Sequence, residues 1–211
     1  KPTCTVGCDC NRFVEIWNLV FTQFNRKDGG ILEPLPRKNI DTGMGLERLC
    51  AVLQDVPSGL DTDLFEPVVK SVLDEVGSNA VQSRVLRISD HLRAITFCIA
   101  DGAVPSNEGR GYVVRRLIRS ALRDAYLMNI TKPFLARRVP IIVDVMKTAY
   151  PELQERKQFI EDIVLAEEKR FLETLDLGMK KFNALISEKN ILSGADAFLL
   201  YDSFGFPIEL T

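Results

Sequence analysis

Histidine is almost missing from this sequence, with one, His91, in 211 residues. That scarcity excludes a histidine-rich zinc centre and leaves little scope for histidine general-base chemistry. Net charge is nearly missing too, since 27 Lys and Arg stand against 29 Asp and Glu. No global positive field draws in nucleic acid, so any RNA contact has to come from local clustering. No apolar run reaches the length of a membrane span, and the N-terminus lacks the basic-then-apolar order of a signal peptide. A cytoplasmic protein with no membrane partner is therefore expected. The sequence starts at Lys1 rather than methionine, which suggests a trimmed or excised piece.

Cysteine is sparse and odd in number, at five. Cys50 and Cys98 lie within apolar helical patterns, where cysteine behaves as a small buried hydrophobe. Cys4, Cys8 and Cys10 crowd together, but a closed zinc site needs four ligands and no second pair follows nearby. An exposed, reduced loop is expected there, with no metal; His91 reads as a satisfied core or interhelical histidine. Apolar residues make up 46% and charged residues 27%, the balance of an ordinary globular chain long enough for one large domain or two small ones.

Phe13, Val14, Ile16, Trp17, Leu19, Val20, Phe21 and Phe24 form a dense aromatic and β-branched run that favours a buried strand. A turn at residues 27–30 and an extended, proline-bearing segment at 31–36 make it a hairpin. Leu46, Leu49, Cys50 and Leu53 then recur at helical spacing up to a stop at Pro57 to Gly59. A further amphipathic segment runs from Pro67 to Val76. Beyond Gly77 the pattern is helical throughout, at 84–100, 112–128, 133–149 and 152–189, with Phe159, Ile163, Phe171, Leu172, Leu175, Met179, Phe182 and Ile186 as the core stripe of the last. Gly178 marks a kink or break in it. The fold class is α+β, strands first and helices after, with a boundary near residues 76–83.

Two clusters carry chemistry. Residues 41–48 (DTGMGLER) open an apolar helix with two glycines, a carboxylate at one end and a guanidinium at the other. Gly43 and Gly45 let a ligand lie against bare backbone, Arg48 offers a donor fork that matches phosphate, and Asp41 suits an ammonium group. The same residues also read as a plain turn before a helix. In the second cluster, Arg110, Arg115, Arg116, Arg119 and Arg123 gather around one loop and helix, and 115, 119 and 123 share a face that fits phosphates. The alternative is a solvated helix face paired with nearby acids. Asn107 and Asp202 carry groups able to read base edges, or else serve as a turn residue and a helix cap.

Residues 15–26 (EIWNLVFTQFNR), 32–36 (LEPLP), 41–48, 101–116 (DGAVPSNEGRGYVVRR) and 200–207 (LYDSFGFP) follow one another in an order that resembles the alanyl-tRNA synthetase family of class II enzymes. The likeness covers residue 11 to the end. It implies that residues 1–78 are the C-terminal part of a class II antiparallel-sheet catalytic domain, including its third motif, and that residues 79–211 are the mainly α-helical tRNA-recognition domain. The first two class II motifs and the editing domain would lie outside this fragment, which is expected to be inactive alone. The resemblance implies ATP, with accompanying Mg²⁺, and alanine as ligands, the acceptor stem of tRNA(Ala) as partner, and no zinc in this part. On matching positions, Asn18 and Asp41 hold alanine, with Val20 and Gly43 lining its pocket. Ile16, Trp17, Asn18 and Gly45 lie along ATP and Arg48 grips its terminal phosphate. Asn107 and Asp202 recognise the G·U pair of the stem, with Arg110, Arg115, Arg116 and Arg119 on its backbone. Cys4 to Cys10 and Ser120 depart from the family's usual residues without touching a proposed contact. A non-catalytic RNA-binding relative is the alternative.

Overall fold

In the computed structural model, residues 4–8, 12–189 and 191–211 are described. They fall into two compact units, residues 1–64 and 65–211.

The first unit begins with the expected hairpin. Strand β1 (Trp17–Arg26) pairs antiparallel with β2 (Leu32–Met44). The reversal between them uses Gly29 and Gly30 at φ 79° and 81°, a region other residues rarely enter. The register holds from Trp17↔Met44 to Thr22↔Asn39 and then shifts before Phe24↔Pro34. Pro34 and Pro36 lie in the displaced stretch and have no N–H to give to the ladder, which explains the irregularity there. The strands are not buried as their composition suggested: Trp17, Phe21 and Ile40 are 58%, 64% and 62% exposed. A two-stranded ribbon has two faces and this unit covers neither, so β-propensity built the pairing without supplying a core. β2 also runs further than expected. Asp41, Thr42, Gly43 and Met44 finish the strand, and helix α1 (Leu46–Gln54) starts only after Gly45. It stops at Asp55, left-handed at φ 52°, ahead of the anticipated Pro57.

The second unit is helical: α2 (Glu66–Val76), α3 (Gln82–Ala100), α4 (Gly109–Tyr126), α5 (Val139–Met146), α6 (Glu152–Lys189) and α7 (Gly194–Phe204). In α3 the residues at three- and four-residue steps, Val85, Ile88, Leu92, Ile95 and Ile99, are all fully buried. α2 buries Val68, Val72 and Val76 in the same core. Compactness therefore divides the chain at 64/65, ahead of the change in sequence pattern, because α2 has its apolar partners among the helices that follow. Gly178 does not break α6, which is continuous for 38 residues. Its missing side chain makes room for the fully buried ring of Phe206. Phe159, expected in the core stripe, is 47% exposed.

Two buried acids brace this unit. The Glu168 carboxylate accepts the backbone N–H groups of Phe134, Leu135 and Ala136 at 2.9, 2.8 and 2.9 Å. Burial raises its pKa above the ordinary value, against the pull of those three amides. Asp124 takes a two-pronged contact from Arg87, at 2.5 and 2.7 Å, the geometry that makes guanidinium–carboxylate pairs strong. Among the described residues, no helix is long and apolar enough to cross a membrane.

Candidate functional site

The hairpin register decides which residues of the first cluster meet. Asn18 pairs with Gly43, and Val20 with Asp41. Directly opposed residues share a face of an antiparallel pair, as do residues two apart on one strand. Asn18, Val20, Asp41 and Gly43 thus form one patch. A Cβ built on Gly43 would lie 3.5 Å from Asn18 Oδ1, so the glycine leaves the space beside that amide open to a ligand. The Asn18 side chain is oriented by its Nδ2, which donates to Glu15 Oε1 at 3.1 Å. The Asp41 carboxylate is exposed and has no hydrogen bond or ion pair among the described residues.

Trp17 lies on the opposite face. Its indole N–H donates to Thr42 Oγ1 at 2.5 Å, and that hydroxyl donates to the Asn18 carbonyl at 2.9 Å. Thr42, unremarked in the sequence, ties the indole to the β1 backbone; a hydroxyl between two expected ligand residues was the available signal. Ile16, Gly45 and Arg48 are brought together at the strand–helix junction. Gly45 N–H donates to the Ile16 carbonyl at 3.0 Å, and Arg48 Nη1 donates to the Glu15 carbonyl at 2.7 Å. A Cβ on Gly45 would come within 3.2 Å of Arg48 Cδ, so the glycine lets the arginine fold back toward the strand. The patch offers an exposed carboxylate and an amide, and the junction beside it a guanidinium with donors to spare, the groups a zwitterion and a phosphate require.

In the helical unit, the loop before α4 folds tightly onto the helix start. A Cβ on Gly111 would come within 2.3 Å of the Val104 carbonyl and Ser106 Oγ. This places Asn107 so that its Oδ1 accepts a hydrogen bond from Arg115 Nη1. Arg115, Arg116, Arg119 and Arg123 line a depression of about 710 Å³ together with Tyr112, Phe171, Tyr201, Asp202 and Glu209. Asp202 sits in the last turn of α7, so it is not a helix N-cap, and its exposed carboxylate is without a partner among the described residues.

Much of the arginine face is paired with acids. Arg115 and Arg119 share the carboxylate of Glu167 at 3.3 and 2.9 Å, and Glu167 is only 3% exposed. Arg119 also stands over the Phe171 ring, 5.2 Å from its centroid. Arg123 meets Glu209 at 2.5 Å. Arg110 and Arg116 are exposed and carry no such pair among the described residues. Glu167 and Glu209 were missed in the sequence. Glu167 had a signal: it falls at helical spacing between Ile160 and Phe171, an acid within an apolar stripe. Glu209 had none.

Among the described residues, no group of three or more His, Cys, Asp or Glu could hold a metal ion. The Sγ atoms of Cys4 and Cys8 are 3.2 Å apart; Cys10 lies outside the described residues. His91 is largely buried on α3, its Nδ1 3.7 Å from Asp90.

Residues 1–211 match the family model for class II (A) tRNA synthetases. The chain is 48% identical over 221 residues to the alanine–tRNA ligase of Natranaerobius thermophilus, an alignment covering 100% of this chain and 25% of that one. Identity to the alanine–tRNA ligase of Thermotoga maritima is 49% over 213 residues, covering 99% and 25%. For the Bacillus subtilis alanine–tRNA ligase it is 46% over 220 residues, covering 100% and 25%. The chain thus spans about a quarter of the length of these relatives.

Proposed function

This chain belongs to the class II (A) tRNA synthetases, and from that membership we propose that it forms part of an alanine–tRNA ligase, which activates alanine with ATP and passes it to tRNA(Ala) in the cytoplasm. Residues 1–78 would complete the activation site and 79–211 would bind the tRNA. The observation that carries the reading is the shared face of Asn18, Val20, Asp41 and Gly43.

On that face Asp41 accepts the substrate ammonium and Asn18 a further hydrogen bond, while Val20 limits side-chain size beside the bare backbone of Gly43. The alanine carboxylate attacks the α-phosphorus of ATP, pyrophosphate leaves, and a mixed anhydride of alanine and AMP remains. Ile16, Trp17 and Gly45 lie along the nucleotide and Arg48 holds its terminal phosphate. Positioning and charge neutralisation supply most of the rate. Mg²⁺ bound to the ATP phosphates would offset their charge. The tRNA end then attacks the alanyl carbonyl and AMP leaves. A pocket of this kind rejects larger side chains by overlap, but discriminates against glycine or serine by only about 1–3 kcal/mol.

In the helical unit Asn107 and Asp202 read the G·U pair of the acceptor stem through the wide minor groove, and Arg110, Arg115, Arg116 and Arg119 hold its backbone. Alanine-dependent pyrophosphate exchange by the full-length protein tests the activation site: Asp41→Ala abolishes it, and undiminished exchange would remove the ammonium contact. A stem with G·C in place of G·U should bind more weakly; equal affinity would dismiss Asn107 and Asp202 as readers.

A further inference from the structure

The geometry points to a phosphate subsite on Arg123 that Glu209 occupies in the free protein and yields when a nucleic-acid backbone binds. It rests on the reading of the helical unit as an RNA-binding face, and it concerns a pair of residues that reading does not use.

The two acids that pair with the arginines of the depression are held very differently. Glu167 is 3% exposed and shared between two arginines, so it is fixed in place behind them. The Glu209 side chain is 56% exposed, on the single turn Ile208–Leu210, while Arg123 beneath it is 19% exposed. The chain leaves α7 through Gly205, left-handed at φ 61°, and is anchored by the fully buried Phe206. Beyond that anchor Ile208 is 51% exposed. Rotation of the Glu209 side chain is therefore enough to free Arg123, with no change in the packed helices.

A carboxylate and a phosphodiester each present a pair of oxygens to a guanidinium fork, so they compete for the same donors. The Glu209 end of the pair is exposed to solvent, which weakens its hold on Arg123. A nucleic-acid backbone with another phosphate held by Arg116, which lines the depression and has no acidic partner among the described residues, can displace it. A lone anion gains less, because it meets Arg123 already neutralised. The internal carboxylate in this way favours a ligand that makes several contacts at once over stray anions.

The test measures binding of an acceptor-stem hairpin to the full chain by fluorescence anisotropy at fixed salt, alongside inorganic phosphate titrated against the Arg123 Nε resonance. Glu209→Gln should tighten hairpin binding by about 3- to 5-fold, the value of an exposed ion pair, and should let inorganic phosphate shift the Arg123 signal at lower concentration. The gain should vanish in an Arg123→Gln background. Asp144→Asn, which removes the same charge from an acid 65% exposed on α5, should not reproduce it. Hairpin binding that is indifferent to Glu209→Gln, or a gain that survives Arg123→Gln, overturns the subsite and leaves the RNA reading standing. Glu209-dependent phosphate binding with no hairpin binding keeps the subsite for free phosphate and overturns the RNA reading. Binding of neither ligand by any variant overturns both.

Discussion

Replacing a glycine by alanine inside a helix ordinarily stabilises it by about 0.5–1 kcal/mol; at Gly178 the sign should reverse. A Cβ there would lie 2.3 Å from Phe206 Cδ2, 2.8 Å from its Cγ and 2.9 Å from its Cβ, where carbon atoms settle at about 3.5–4.0 Å. The ring has to retreat by more than about 1 Å, and it is fully buried, so it has nowhere to go without moving its neighbours. Overpacking of this kind costs about 1–3 kcal/mol. Set against the propensity gain, Gly178→Ala should destabilise by about 1–2 kcal/mol. Phe206→Ala alone should cost about 3–5 kcal/mol. With the ring gone the clash goes too, and Gly178→Ala on that background should stabilise by up to about 1 kcal/mol. Urea unfolding followed by circular dichroism at 222 nm reads the helical unit in all four proteins. If Gly178→Ala raised the midpoint with Phe206 in place, or shifted both backgrounds equally, the close approach would be wrong.

The capping box of α7 predicts an acid response. Lys189, and after it Ser193, holds the Asp196 carboxyl at about 2 rather than 3.8. A depressed carboxyl stabilises the fold fully above its unfolded value and loses that contribution as pH falls through the folded one. The advantage over Asp196→Asn should therefore be constant well above pH 3.8 and fade toward about pH 2. Carboxyl NMR finding Asp196 titrating at its ordinary value would refute this. Glu168→Gln should cost about 1–3 kcal/mol in the same urea assay, because an amide offers one acceptor oxygen where the carboxylate uses both; an unchanged midpoint would mean that the three backbone N–H groups do not depend on it. Loss of pyrophosphate exchange in Asp41→Ala and tighter hairpin binding in Glu209→Gln complete the set.

Residue types and their spacing determined the strand pair, the run of helices and the buried face of α3, because alternation, turn glycines and three- and four-residue steps express backbone geometry directly. They also determined the family, since the blocks around Asn18, Asp41 and Arg48 have that form whatever surrounds them. Tertiary structure alone decided the rest, through contacts between residues far apart in the chain. The register across the hairpin put Asn18 with Asp41 and Trp17 on the other face. The ring of Phe206 turned Gly178 from an apparent break into a packing site. Glu167, 48 residues along from Arg119 and also paired with Arg115, and Glu209, 86 residues along from Arg123, turned an apparently free basic stripe into one that is largely paired. A linear pattern carries the period of an element; it does not carry which distant side chain will meet it.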